Sequence, residues 1–123
     1  MSKSIAVIAV LALVLGLTPA SAEDGDPQNV VLINTFTVPV EALDQTIAMW
    51  EMARDYLMTQ PGYVSTRLHQ SLSPDARYLL INVAQWESPE SYESATQSMW
   101  QEADLPRIEG VVPGPELYTV IRE

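Results

Sequence analysis

Two stretches decide the fold: Pro61-Gly62-Tyr63-Val64-Ser65-Thr66-Arg67-Leu68-His69, and then Leu80-Ile81-Asn82-Val83-Ala84-Gln85-Trp86-Glu87-Ser88. They read as two β-strands joined by a turn at Ser73-Pro74-Asp75-Ala76,. Strand side chains alternate between faces, so Asn82 and Trp86 share one side of a sheet, about 13 Å apart along the strand. Tyr78, Leu80 and Ala84 fall on that side too, and Leu79, Ile81, Val83 and Gln85 on the other. An unpaired buried amide costs about 1–3 kcal/mol, so a core-facing strand that carries Asn must give it partners. An amide, an indole and a small Ala on one surface describe the wall of a part-polar pocket.

Working outward, the spacing predicts a strand over 30–38, where Val30, Leu32, Asn34, Phe36 and Val38 share a side and Pro39 ends the run,. Leu43, Ile47, Trp50, Ala53 and Leu57 recur at helical spacing, which predicts an amphipathic helix over 41–59, stopped by Pro61-Gly62,. The strand that follows, 63–72, places Val64, Thr66, Leu68 and Leu72 on one side and Ser65, Arg67, His69 and Ser71 on the other. The return strand spans 77–87. Ser88-Pro89 is an N-cap followed by Pro at the first helical position, predicting a second helix to about Glu102,. Three prolines and two glycines make 104–115 a loop, and 116–122 the last strand,. The order β-α-β-β-α-β is ferredoxin-like, an α+β fold with one antiparallel sheet and both helices on one face. The opposite face, with Val31, Ile33, Ile81 and Val83, is too apolar for water, and predicts a sheet-to-sheet homodimer,.

The beginning of the chain has another character. Lys3, an apolar run over 5–17 and the small residues Ala20-Ser21-Ala22 form a secretory signal pattern, with cleavage expected after Ala22,. The run is short of the roughly 20 residues that span a membrane, although retention as an anchor is the alternative. Residues 1–22 are thus assigned to the signal peptide, 23–29 to a polar leader, and 30–122 to the single domain. Export to the periplasm or the outside follows, with no stable membrane association after cleavage. The chain has no cysteine, which excludes disulfides and thiolate chemistry,. Its formal net charge of −10 argues against nucleic acid as a partner,. With one His, no Cys and no calcium-loop pattern, nothing predicts a metal site, and no Gly-rich phosphate loop predicts a nucleotide cofactor,.

With these segments in place, the chain resembles the antibiotic biosynthesis monooxygenase family, small ferredoxin-like proteins that pair into dimeric α+β barrels. The likeness runs from Val30 to about Ile121 and is most specific in Gln60-Pro61-Gly62-Tyr63-Val64-Ser65 and Asn82-Val83-Ala84-Gln85-Trp86-Glu87-Ser88. The segment from Asn82 to Tyr92 is similar to a cofactor-independent branch that oxidises a polycyclic anthrone to a quinone with O2. The resemblance implies Asn82, Trp86 and Tyr92 as catalytic residues and no cofactor. Asn34 is similar to the strand Asn of the family's haem-degrading branch, and with Phe36 and Trp50 completes the expected substrate-binding set. The haem-binding His of that branch has no counterpart here, because residues 88–105 contain no His.

Oxygenation without flavin or metal needs an electron-rich aromatic or quinol-like substrate that can form an anion and reduce O2 directly. Asn82 and Trp86 can donate hydrogen bonds to the resulting oxyanion, and Tyr92 can donate or accept. Proton removal falls to Tyr92, to water or to the substrate's own acidity. The same residues have plainer readings: Trp86 suits a core position and Tyr92 a helix's first turn. His69 suits a surface or interface, and Glu87, Glu90 and Glu93 complement a helix N-terminus. A non-catalytic dimeric module that holds a small apolar ligand is therefore the alternative function.

Overall fold

The computed structural model describes residues 29–123; the signal-peptide and leader segments lie outside the described residues, save Asn29. Its elements are β1 (Val30–Thr37), a 3-10 turn (Val40–Ala42), α1 (Leu43–Leu57), β2 (Tyr63–Gln70), β3 (Leu80–Trp86), α2 (Pro89–Glu102) and β4 (Val112–Tyr118). The sheet order is β2-β3-β1-β4, antiparallel throughout, which is the expected ferredoxin-like arrangement. The alternating residues of β1 and β3 build the core. One cluster gathers Phe36, Val38, Ala42, Leu79 and Leu80 against Leu43, Ile47 and Trp50 of α1. The other gathers Leu32, Ala84, Trp86 and Ala95, the last from α2.

The helix ends follow local chemistry. Ser88 caps α2, its Oγ accepting from the Ser91 N–H at 3.1 Å, and Pro89 opens the first turn,. Helix α1 instead starts through the 3-10 turn, with no side-chain cap. Inside α1, Thr46 is fully buried, and its hydroxyl donates to the Ala42 carbonyl at 2.7 Å,. At the α1–β2 junction Gly62 has φ 89°. A Cβ there would run into Ser91 of α2, so Gly62 lets the strand entrance and the second helix touch,.

Four expectations are corrected. The last strand begins at Val112, inside the stretch assigned to a loop, and holds Pro113 and Pro115. Proline lacks a ladder donor but is tolerated on an edge strand, and β4 is an edge,. Val64 is 42% exposed rather than on the core side, because a bulge between Tyr63 and Ser65 leaves it unpaired,. The bulge sets Tyr63 opposite Trp86. Leu72 lies beyond the end of β2 and is fully exposed. Leu79, assigned to the outer face, is 4% exposed within the core. The β3 ladder starts only at Leu80, so strict alternation does not govern the residue before it.

Candidate active site

A cavity of about 220 Å³ lies between the two helices and the sheet. Its floor is the inner face of the central strands, with Asn34 and Phe36 from β1 and Asn82, Ala84 and Trp86 from β3. Helix α1 contributes Trp50, Arg54 and Leu57, and α2 contributes Tyr92, Thr96 and Met99. All six residues singled out in the sequence, Asn34, Phe36, Trp50, Asn82, Trp86 and Tyr92, line this one space.

Asn34 and Asn82 stand opposite each other in the register of the β1–β3 ladder. Each amide oxygen is already engaged. The Thr66 hydroxyl donates to Asn82 Oδ1 at 2.6 Å, and the Gly114 N–H donates to Asn34 Oδ1 at 3.1 Å. A backbone N–H can only donate, so the Asn34 amide has its oxygen toward β4 and its nitrogen turned away. Thr66 orients Asn82 in the same sense. No partner among the described residues takes the N–H groups of either amide. The floor therefore offers two adjacent NH2 donors, held by partners on the two outer strands, Thr66 on β2 and Gly114 on β4.

Beside them Trp86 is 1% exposed and sits between two tyrosines. Tyr63 and Tyr92 each meet it edge-on, with ring centroids 5.7 Å away and interplanar angles of 86° and 73°,. Burial raises the Tyr92 hydroxyl above the ordinary phenol value, and the Glu93 carboxylate pushes the same way,. Tyr92 is therefore a neutral hydrogen-bond donor at physiological pH, not a base. Arg54 is the one charged residue lining the cavity among the described residues. Its guanidinium lies 5.3 Å from the Trp50 ring centroid and is paired with Asp55 at 3.0 Å,. Asp55 is largely exposed, so that pair is weak and leaves Arg54 able to answer a ligand's negative charge,.

Sequence reasoning missed Thr66, Tyr63, Arg54 and the β4 prolines. Thr66 could have been found, since it sits diagonally from Asn82 in the β2–β3 register. Arg54 follows Trp50 by one helical turn, which signals a shared face. Tyr63 depends on the bulge, and Pro113 and Pro115 on the position of β4, neither of which has a local sequence signature. His69 lies away from the cavity on β2, its Nδ1 3.3 Å from the Ile81 carbonyl. Among the described residues no group of three His, Cys, Asp or Glu side chains could hold a metal ion.

An antiparallel ferredoxin-like sheet, with a cavity between it and two helices, defines a small α+β domain. The chain belongs to the antibiotic biosynthesis monooxygenase family, whose model matches residues 29–103. A solved structure from Shewanella loihica PV-4, described provisionally as a monooxygenase, is 46% identical. That match covers 78% of this chain and 97% of the other, with a TM-score of 0.72. SnoaB, a cofactor-independent oxygenase from Streptomyces nogalater, is 17% identical over 78% of this chain and 96% of its own, with a TM-score of 0.56. The haem-degrader MhuD from Mycobacterium tuberculosis is 18% identical over 76% and 97%, with a TM-score of 0.59. These two likenesses are of fold alone. No curated protein matches the chain.

Proposed function

We propose that this protein is a monooxygenase that oxidises an aromatic or quinol-like substrate with O2 and without a tightly bound cofactor. The observation that carries the reading is the Asn34–Asn82 pair, whose oxygens are held by Gly114 and Thr66 and whose N–H groups serve the cavity. Preorganised donors of this kind stabilise charge that develops during a reaction. The substrate, bound as its phenolate or enolate, gives electrons to O2. In an anthrone a ring CH2 then becomes C=O as one oxygen atom enters and the other leaves as water. In a phenol or quinol one oxygen atom enters at a ring C–H, and that hydrogen and a hydroxyl hydrogen leave with the other as water, giving a quinone. Asn34 and Asn82 would hold the oxyanion with the Trp86 indole N–H as a further donor, and neutral Tyr92 would return a proton,. Arg54 supports the anionic form of the substrate from the α1 side. The low polarity of the remaining wall, with Leu32, Phe36, Leu57 and Met99, strengthens each of these interactions,.

The test is oxygen consumption by the purified protein with hydroxylated anthrones, quinols and phenols. Stoichiometric uptake with quinone formation is the expected result. One observation favours a second reading: no carboxylate or imidazole lines the cavity among the described residues, so the site lacks a strong base. Tight binding of one ligand without oxygen uptake would make the protein a ligand-holding module instead.

Two properties accompany this reading. The half-buried aliphatic side chains of Val31, Ile33, Ile81 and Val83 on the outer face support a sheet-to-sheet homodimer,. The signal pattern in residues 1–22 supports export, with Glu23 as the mature N-terminus. Intact-mass measurement on protein from the native host tests that; retention of residues 1–22 in a membrane fraction would show an anchor.

A further inference from the structure

A second space adjoins the cavity. Met49, Trp100, Leu105 and Pro113 line the cavity and also line a shallower groove of about 690 Å³ along the loop of residues 103–111. At about 220 Å³ the cavity lies below the roughly 300–1,000 Å³ typical of small-molecule sites,. A ligand larger than a compact ring system would extend beyond the cavity, and the groove adjoins it at these four residues.

The groove has the chemistry of an apolar channel. Ile108 and Val111 line it while packing on the core cluster around Phe36. Its two charges, Arg107 and Glu109, are of opposite sign, so the groove has no net preference for an anion or a cation. Trp100 is 68% exposed at the junction, an unusual position for a large apolar ring, and its surface borders both spaces. The wall is built rather than loosely draped. Gly110 has φ 86°, and a Cβ on it would stand 2.6 Å from Pro39 Cγ, so the loop lies close against the β1–α1 connection. The Val111 N–H donates to the Ile108 carbonyl at 3.3 Å within the same loop.

We propose that this groove takes the apolar tail of a substrate whose oxidisable ring occupies the cavity. The substrate class is then a phenol or quinol carrying an alkyl or isoprenoid chain. The word oxidisable rests on the function proposed above; the binding of the tail does not.

The test uses the purified protein and a series of 4-alkylphenols with side chains of increasing length, with affinity measured anaerobically by calorimetry. A fully buried methylene contributes about 0.8 kcal/mol, or roughly fourfold in affinity, so a half-buried chain should gain about twofold per methylene. The gain should level off once the groove is filled. Pro106→Asp places a charge in the groove at an exposed position outside the cavity, and should flatten the dependence on chain length while 4-methylphenol binds as before. Ile108→Asn is the second variant and should do the same in whatever fraction folds. A flat series in the unaltered protein would overturn the proposal. So would a rise that Pro106→Asp leaves intact, since that is general adhesion of apolar chains. Oxygen uptake is then measured with tailed and tailless quinols. Tail-dependent affinity without uptake from any quinol refutes the monooxygenase reading and leaves the groove assigned. Uptake with a flat affinity series refutes the groove alone.

Discussion

The two faces of the sheet come from the same strands and invert the usual distribution of polarity. Toward the helices, β1 and β3 present Asn34 and Asn82 among Leu32, Phe36, Ala84 and Trp86, and Asn82 is 7% exposed. Away from the helices, the alternate residues Val31, Ile33, Ile81 and Val83 are aliphatic and only half-buried. Packing alone would put the amides outside and the aliphatics inside. The amides of Asn82 and Asn34 are tolerated because Thr66 and Gly114, respectively, engage their oxygens, and their N–H groups remain to serve a ligand,. An exposed aliphatic face is tolerated where a second surface covers it. Under the function and the dimer proposed above, the inner face serves a small molecule and the outer face another copy of the chain.

The largest expected effect tests the inner face. Asn82→Ala and Trp86→Phe should each lower turnover about 10²–10³-fold, the usual cost of one lost oxyanion donor. Trp86→Phe keeps most of the ring volume, and its melting temperature should move little. Turnover and melting are to be read on the same preparations. Unchanged turnover per folded molecule in both variants would reduce the inner face to ordinary core. For the outer face, Ile81→Asp should convert a dimer to monomer or aggregate, read by size-exclusion chromatography with light scattering. A native-like dimer from that variant would break the comparison from the other side.

A smaller effect belongs to the α1–β2 junction. Gly62→Ala forces a side chain into positive φ against Ser91 and should cost about 1–3 kcal/mol,. In a domain of this size that lowers the melting temperature by about 4–8 °C per kcal/mol, measurable by calorimetry. The smallest effect is in the pH dependence. Burial raises the Tyr92 pKa in the folded state, so the neutral phenol favours folding. Its contribution is fully present below the ordinary phenol value of 10.0 and is lost as pH rises through the raised folded value,. Urea midpoints from pH 8 to 11 should fall at the alkaline end, and fall less in Tyr92→Phe. Part of the decline will remain, because the Glu102 carboxylate that accepts the Tyr56 hydroxyl raises that group as well.

Element order, the Ser88 cap and the Pro61-Gly62 stop were legible because each rests on local chemistry: periodicity, a capping hydroxyl, a positive φ. So was the grouping of Asn82, Trp86 and Ala84, since a strand's two-residue period fixes which side chains share a face. That Asn34 belongs beside them followed once both strands were placed next to each other. Local rules failed where pairing with a distant strand decided the matter. Pro113 and Pro115 read as loop because nothing nearby reveals that their strand is an edge, where a missing N–H costs little. Tyr63 reached Trp86 only through a bulge that depends on how β2 meets β3.

By itself the sequence determined the β-α-β-β-α-β order, the likeness to a monooxygenase family and the residue types that a pocket could use. It could do so because side-chain periodicity and capping are properties of neighbouring residues. Only the tertiary structure decided that Thr66 and Gly114 would engage the two amide oxygens, that Arg54 would be the cavity's cation, and that a groove would adjoin it. Those features join residues from four strands, two helices and a loop. Their geometry is set by register and helix packing, which no short stretch of chain contains.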